Sequence, residues 1–302
     1  MSKNVLISGA AGFIGTHLTK ALADLGHNVI ILSRSAKSTK HNVINWKPAS
    51  GKLDLSGVTD LDAVVHLAGE SIAGRWTDEK KARIKNSRVE GTKLLAEALG
   101  GLNKKPEVLI SASAIGIYGD RGDEALTEAS PPGSGFLSEV GVKWEEATEP
   151  AREAGIRVCN IRIGLVLGNG GGALEKMIVP FKLGLGGKIG GGRQYWSWIS
   201  IDDLVGIVIY LMNNNNLEGP VNAVSPNPLT NSEFTSALGN ALNRPTIIPL
   251  PAFAARGLLG EMAQETMLSS TRVIPKKLLD AGFEFKYSDL DDALSGILTT
   301  NT

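Results

Sequence analysis

Seven residues near the start of the chain, Gly9-Ala10-Ala11-Gly12-Phe13-Ile14-Gly15, set glycine at every third place between an apolar run, Val5-Leu6-Ile7, and an amphipathic stretch from Thr16 to Leu25. A strand, a tight turn and a helix start in that order form a cradle for a diphosphate. Gly9 permits the turn, Gly12 lets backbone amides approach without an intervening Cβ, and Gly15 lets the helix lie close to the strand. Some 20 residues on, Ser33-Arg34 follow a second apolar run, Val29-Ile30-Ile31-Leu32. A site for the unphosphorylated dinucleotide carries an acidic residue there, for the ribose 2′-hydroxyl. A guanidinium selects a 2′-phosphate instead, so the expected cofactor is NADP(H). The alternative for Arg34 is a solvated residue in a basic loop with Lys37 and Lys40.

The elements that must position this cradle alternate between two kinds. Leu61 to Gly69, Val108 to Ser113 and Val158 to Leu167 read as buried strands, and Asp78 to Leu99 and Phe136 to Ala154 as helices. That alternation predicts an α/β fold, a Rossmann-type doubly wound parallel sheet that binds its ligand at the carboxyl edge. After Gly168 the run Asn169-Gly170-Gly171-Gly172 breaks the pattern. The glycine-rich segment Gly184 to Gly192 is either a connector or a lid, and it precedes a strand-like Tyr195 to Ile199. Asp202 or Asp203 is expected to cap a helix from Leu204 to Met212, and Val221-Asn222-Ala223 is a short strand. Helix Asn231 to Leu242, strand Thr246 to Ile248, helix Pro251 to Leu268 and an amphipathic end from Leu290 complete a smaller C-terminal α/β lobe. The expected division is residues 1–168 as the dinucleotide-binding domain, with 198–224 returning to it, and 169–197 with 225–302 as the lobe.

Composition limits the function classes. Lys plus Arg and Asp plus Glu both number 31 in 302 residues, so no global field draws the chain to nucleic acid or an anionic membrane. No leader-type segment opens the chain and no apolar run is long enough to span a bilayer, which predicts a cytoplasmic protein without a membrane partner. Cys159, the single cysteine, lies in an apolar run and reads as a buried structural thiol. The four histidines lack ligand spacing, so no metal is expected.

With these motifs in order, the chain resembles the extended, epimerase-like branch of the short-chain dehydrogenase/reductase family, the NAD(P)-dependent epimerase/dehydratases. The resemblance is carried by Ser8 through Gly15, His66-Leu67-Ala68-Gly69, Arg88-Val89-Glu90-Gly91-Thr92, Ser111-Ala112-Ser113 through Tyr118-Gly119, Ile161-Arg162-Ile163-Gly164, and Trp198-Ile199-Ser200-Ile201-Asp202-Asp203-Leu204. Asn169 to Leu174, Pro180 to Gly187 and Val273 to Leu278 look like the group labelled epimerase family proteins or cell-division inhibitors. The resemblance implies cofactor contacts from Gly9, Gly12, Phe13, Ile14, Gly15, Ser33, Arg34, Leu67, Ala68, Gly69, Ser111, Ala112, Gly164 and Leu167. It also implies a small-molecule substrate and a monomer or homodimer.

One departure stands out. Reductases of the family use Tyr-x-x-x-Lys, in which the phenol moves a proton and the lysine lowers its pKa, and this chain has no such pair. One register of the helix puts Phe136 and Val140 in those places; another keeps Lys143 but puts Glu139 at the tyrosine. The candidate catalytic residues are therefore Ser113, Tyr118 as the nearest phenol, and Lys143. Arg88 stands where relatives carry a neutral asparagine, and it and Arg83, earlier on the helix, are candidates to meet phosphate. Two functions follow: an NADP(H)-dependent oxidoreductase or epimerase acting on a small polar substrate, or an NADP(H)-binding sensor without a proton relay.

Overall fold

The computed structural model describes residues 2–34, 41–55, 57–58 and 60–299, with no statement on the side chain at position 49. Lys37 and Lys40 lie outside these residues. Chain order begins with strand β1 (Asn4–Ser8), helix α1 (Phe13–Asp24), β2 (Asn28–Ser33), β3 (Asn42–Lys47), β4 (Lys52–Leu53), β5 (Ala63–His66) and α2 (Asp78–Gly100). It continues through β6 (Val108–Ala114), β7 (Ala125–Leu126), α3 (Phe136–Glu146), α4 (Glu149–Glu153), β8 (Arg157–Ile163), β9 (Leu165–Leu167) and α5 (Gly172–Lys182). Then come β10 (Tyr195–Trp196), β11 (Trp198–Ser200), α6 (Ile201–Asn213), β12 (Gly219–Ala223), β13 (Leu229–Thr230) and α7 (Asn231–Ala241). Helix α8 (Ala252–Leu259), β14 (Arg272–Val273), α9 (Lys276–Asp280) and α10 (Leu290–Thr299) end the fold.

The main sheet runs β12-β8-β6-β5-β1-β2-β3-β4, parallel throughout except for the short antiparallel edge β3–β4. Val5, Leu6, Ile7, Val64, Val65, Leu109 and Ile110 are 0 % exposed because a parallel sheet is covered on both faces. One apolar cluster packs α1 and α6 on one face, and another packs α2 and α4 on the other. A third, with Leu174, Phe181, Trp198, Phe234 and Leu294, lies between α5, α7 and α10.

Several elements differ from the sequence expectation, each for a local reason. The expected strand Val158 to Leu167 divides at Gly164, where a Cβ would lie 2.5 Å from the Ser197 carbonyl oxygen. Its first half joins the main sheet and its second pairs with β11. The expected helix Phe136 to Ala154 divides into α3 and α4, with Pro150 in the first turn of α4, where a missing N–H is tolerated. Helix α6 starts earlier and is capped by Ser200, whose hydroxyl accepts from Asp203 N, rather than by an aspartate. The expected helix Pro251 to Leu268 stops at Gly260 (φ +64°) and resumes as a π-helical turn, Ala263–Met267. Thr246 to Ile248 forms only an isolated bridge, from Ile247 to Gly187.

Candidate functional site

The strand order reverses between β1 and β5, and the carboxyl ends of these two strands open the crevice in which doubly wound sheets bind ligands. Gly9 leaves β1 at φ +74°, and a Cβ on it would lie 2.8 Å from the Leu67 carbonyl carbon. A Cβ on Gly15 would lie 2.2 Å from the Gly9 oxygen. Gly12 meets only that oxygen, at 3.2 Å, so its outer side is open. Gly12 is also the N-cap of α1, with no side-chain cap and no acid in the first turn. Thr16 is the first amide to reach an intrahelical carbonyl, that of Gly12 at 2.9 Å. The amides of Phe13, Ile14 and Gly15 are left for an anion.

Ser8 holds the opposing strand end in place. Its Oγ accepts from the amides of Leu67 (3.2 Å) and Ala68 (3.3 Å) and shares a hydrogen bond with His66 Nδ1 at 2.6 Å. Burial pushes His66 down to about 4, so its ring is neutral. The Phe13 ring turns toward the glycine turn after β9. A Cβ on Gly168, Gly171 or Gly172 would come within 3.0 Å of it.

Along the wall formed by α2, Arg88 donates Nη1 to the carbonyls of Glu70 (2.9 Å) and Ile84 (3.2 Å). Its guanidinium lies 4.8 Å from the Trp144 ring centroid and against Gly69, whose Cβ would meet Cζ at 3.4 Å. Burial lowers Arg88 to about 10, opposed by Glu70, which still leaves a cation at neutral pH. Glu70 accepts from Lys80 Nζ at 2.7 Å and has Arg83 Nε at 3.8 Å. The Lys80 hydrogen bond above all, then the charges of Lys80, Arg83 and Arg34, holds its carboxyl below the usual range. Arg34, exposed just after β2, adds only the last of these charges.

The other end of the crevice is built from charge. Ser113, 2 % exposed at the end of β6, donates to Glu145 Oε1 at 2.7 Å. Arg162 on β8 grips the same carboxylate with two bonds of 2.8 Å, Nε to Oε1 and Nη2 to Oε2. Its Nη1 donates to the Tyr118 hydroxyl at 2.9 Å. Burial alone would lower Arg162, but the hydrogen bond and charge of Glu145 outweigh it and hold it above its usual value. Tyr118 is 0 % exposed, and its proton is shared between Asn222 Oδ1 (2.7 Å) and the Thr127 carbonyl (3.0 Å). Burial pushes its pKa up.

Of the other candidates, Lys143 is exposed on α3, Ser111 is fully buried on β6, Gly164 packs on Ser197 and Val224, and Leu167 lies in the third apolar cluster. Phe136 is half-buried, edge-on to Trp76 at 5.2 Å and beneath Lys81 Nζ at 4.6 Å. The amides of Phe136 and Leu137 donate to Glu265 at 2.8 and 2.7 Å. Sequence reading gave no role to Glu145, Arg162, Asn222 or Glu265. One signal existed, a charged Arg162 inside an apolar strand, which requires a buried partner. Glu265 gave none, because 129 residues separate it from Phe136. Among the described residues no cluster of three or more His, Cys, Asp or Glu could hold a metal, and no helix is long and apolar enough to cross a membrane.

Residues 5–224 match the model of the NAD dependent epimerase/dehydratase family, and residues 250–297 match a domain of unknown function, DUF1731. An epimerase family protein of Mycobacterium bovis is 42% identical over 98% of this chain and 97% of its own length. Epimerase family protein YfhF of Bacillus subtilis is 37% identical, covering 98% of each. The crystal structure of human epimerase family protein SDR39U1 (isoform 2) with NADPH superposes with a TM-score of 0.89 at 34% identity, over 98% of this chain and 99% of that one.

Proposed function

This chain belongs to the NAD dependent epimerase/dehydratase family, and from that premise we propose that it binds NADP(H) and acts as an epimerase- or reductase-type protein on a small polar substrate. The carrying observation is a glycine turn at the end of β1 whose Gly9 and Gly15 admit no side chain, with Arg34 exposed just after the adjacent strand β2. The diphosphate lies on the amides of Phe13, Ile14 and Gly15, the 2′-phosphate meets Arg34, and Arg88 faces the same wall. The NADPH seen in the human relative supports this reading. It also keeps the expected division into a sheet domain and a C-terminal substrate lobe. The buried Cys159 thiol fits a reducing, cytoplasmic setting.

When bound, the nicotinamide supplies hydride exchange with a substrate carbon. The chain supplies orientation and protons. Ser113 has one proton and gives it to Glu145, so toward the site it can only accept. Glu145, held by two guanidinium bonds, accepts the Ser113 proton and fixes that hydroxyl's orientation. Tyr118 is tied to Arg162, Asn222 and Thr127, and no phenol stands on α3. Loss of a general acid costs about 10²–10⁴ in rate, which favours a second reading in which the chain binds NADP(H) as a sensor.

Titration of the purified chain with NADPH and NADH in a calorimeter tests the first claim. Arg34→Asp is expected to weaken NADPH at least about tenfold, the loss of one charge-assisted contact, and to leave NADH nearly unchanged. Equal weakening of both would remove the 2′-phosphate assignment. Nicotinamide absorbance followed against aldehydes, ketones and sugars then separates enzyme from sensor.

A further inference from the structure

A cleft of about 210 Å³ opens between the turn that follows β6 and the π-helical turn Ala263–Met267. Its floor is backbone at Gly116 and Gly119, and its walls include Asp120, Ser134, Gln264, Glu265 and Ser269. π-helical turns recur at functional sites. We propose that this cleft takes the substrate, and that the substrate is a small, phosphate-free ligand rich in hydrogen-bond donors, an amine-bearing sugar or polyol. The proposal rests on the function above and names the chemistry of its substrate.

Three observations carry it. The start of α3, a natural seat for a phosphate, is already occupied from within, because its first two amides end on Glu265. Gly135 keeps that carboxylate seated, with φ +103° and room for a Cβ only at 2.9 Å from Oε1. Second, the lining carries two carboxylates and no lysine or arginine. An incoming diphosphate would meet repulsion, and an ammonium would meet attraction. Third, Ser269 lines the cleft at 5 % exposure, and its hydroxyl has no hydrogen-bond partner among the described residues. Facing the cleft, that hydroxyl is open to a ligand hydroxyl or amine. Gln264 gives its oxygen to Arg256 Nε at 2.8 Å and so keeps its NH₂ for the ligand. Asp120 uses Oδ1 for the amides of Ser270 (3.2 Å) and Gly122 (3.3 Å), which leaves Oδ2 as an acceptor.

The full chain, with and without saturating NADPH, is titrated in a calorimeter with glucosamine, myo-inositol and UDP-glucose. Glucosamine is expected to bind saturably and more tightly than myo-inositol, and UDP-glucose not at all. Ser269→Ala should weaken glucosamine about five- to tenfold, the worth of one hydrogen bond, with NADPH affinity unchanged. Asp120→Asn, which keeps the two backbone contacts, should remove the preference for the amine. UDP-glucose binding more tightly than glucosamine would overturn the proposal. So would absence of heat with glucosamine, or glucosamine binding indifferent to both substitutions. Failure to bind NADPH, with glucosamine uptake intact, would count against the cofactor assignment alone.

Discussion

Where β1 and β5 end, the ligand-facing surface is almost wholly backbone: amides at the start of α1, a glycine whose Cβ has no room, and a serine pinning the opposite strand end. Where β6 and β8 end, it is a side-chain network in which Ser113, Glu145, Arg162, Tyr118 and Asn222 bond one another. The first construction is ready for any chain that keeps its glycines, because amides point at the anion whatever the neighbouring side chains are. The second depends on a matched cation and anion taken out of water together, and it can change roles while the fold stays the same.

The contrast is open to direct attack. Arg162→Met leaves the Glu145 charge, 14 % exposed, without its partner and should destabilise the chain by about 3–5 kcal/mol in urea unfolding, whereas the double change with Glu145→Leu should recover much of the loss. Recovery is the informative part; a double variant as unstable as the single one would mean that the pair matters for more than charge compensation. Gly15→Ala attacks the other end. Its Cβ would lie 2.2 Å from the Gly9 oxygen, so NADPH binding should fall below calorimetric detection and thermal stability should drop by about 2–4 kcal/mol, while Gly12→Ala should cost less stability.

Acid should find the cradle through His66. Its folded pKa lies below the unfolded value of 6.5, so the unfolded chain binds the extra proton first. Stability is full above pH 6.5 and declines as pH falls toward 4, by on the order of 3 kcal/mol. Urea midpoints across that window, compared with His66→Asn, isolate the contribution; an unchanged slope in the variant would assign it elsewhere. The smallest effect is expected from Tyr118→Phe. It should cost about 1–2 kcal/mol for the lost hydroxyl bonds and leave NADPH affinity as it is. A large change in affinity would place the phenol at the ligand after all.

The same contrast explains what could be read from the sequence. A glycine's spacing reports the cradle because each glycine answers a backbone constraint within a few residues, as at Gly9 and Gly15. Strand identity was legible where β5, β6 and β8 are dominated by buried apolar residues. The break at Gly164 was not, since the oxygen that forbids a side chain there belongs to Ser197, on a later strand. Arg34 could be placed at the end of β2, whereas the pairing of Glu70 with Lys80 and Arg83 depends on where α2 begins. Ser113 and Tyr118 were found as residues. Their bonding was not, because Glu145, Arg162 and Asn222 come from three other elements.

Glu265 has a consequence for a chain emerging from the ribosome. The amides that open α3 belong to residues 136 and 137, and the carboxylate that receives them is made 129 residues later. Glu128 likewise waits for the amide of Lys277, and Asp203 for those of Lys286 and Tyr287. Nascent polypeptide can therefore build the first βα units early, but it cannot finish their upper rim until residues 265–287 have been made. Long-range closures of this kind slow folding, and ribosome-stalled fragments ending before residue 265 should hold a sheet whose third long helix frays at its start.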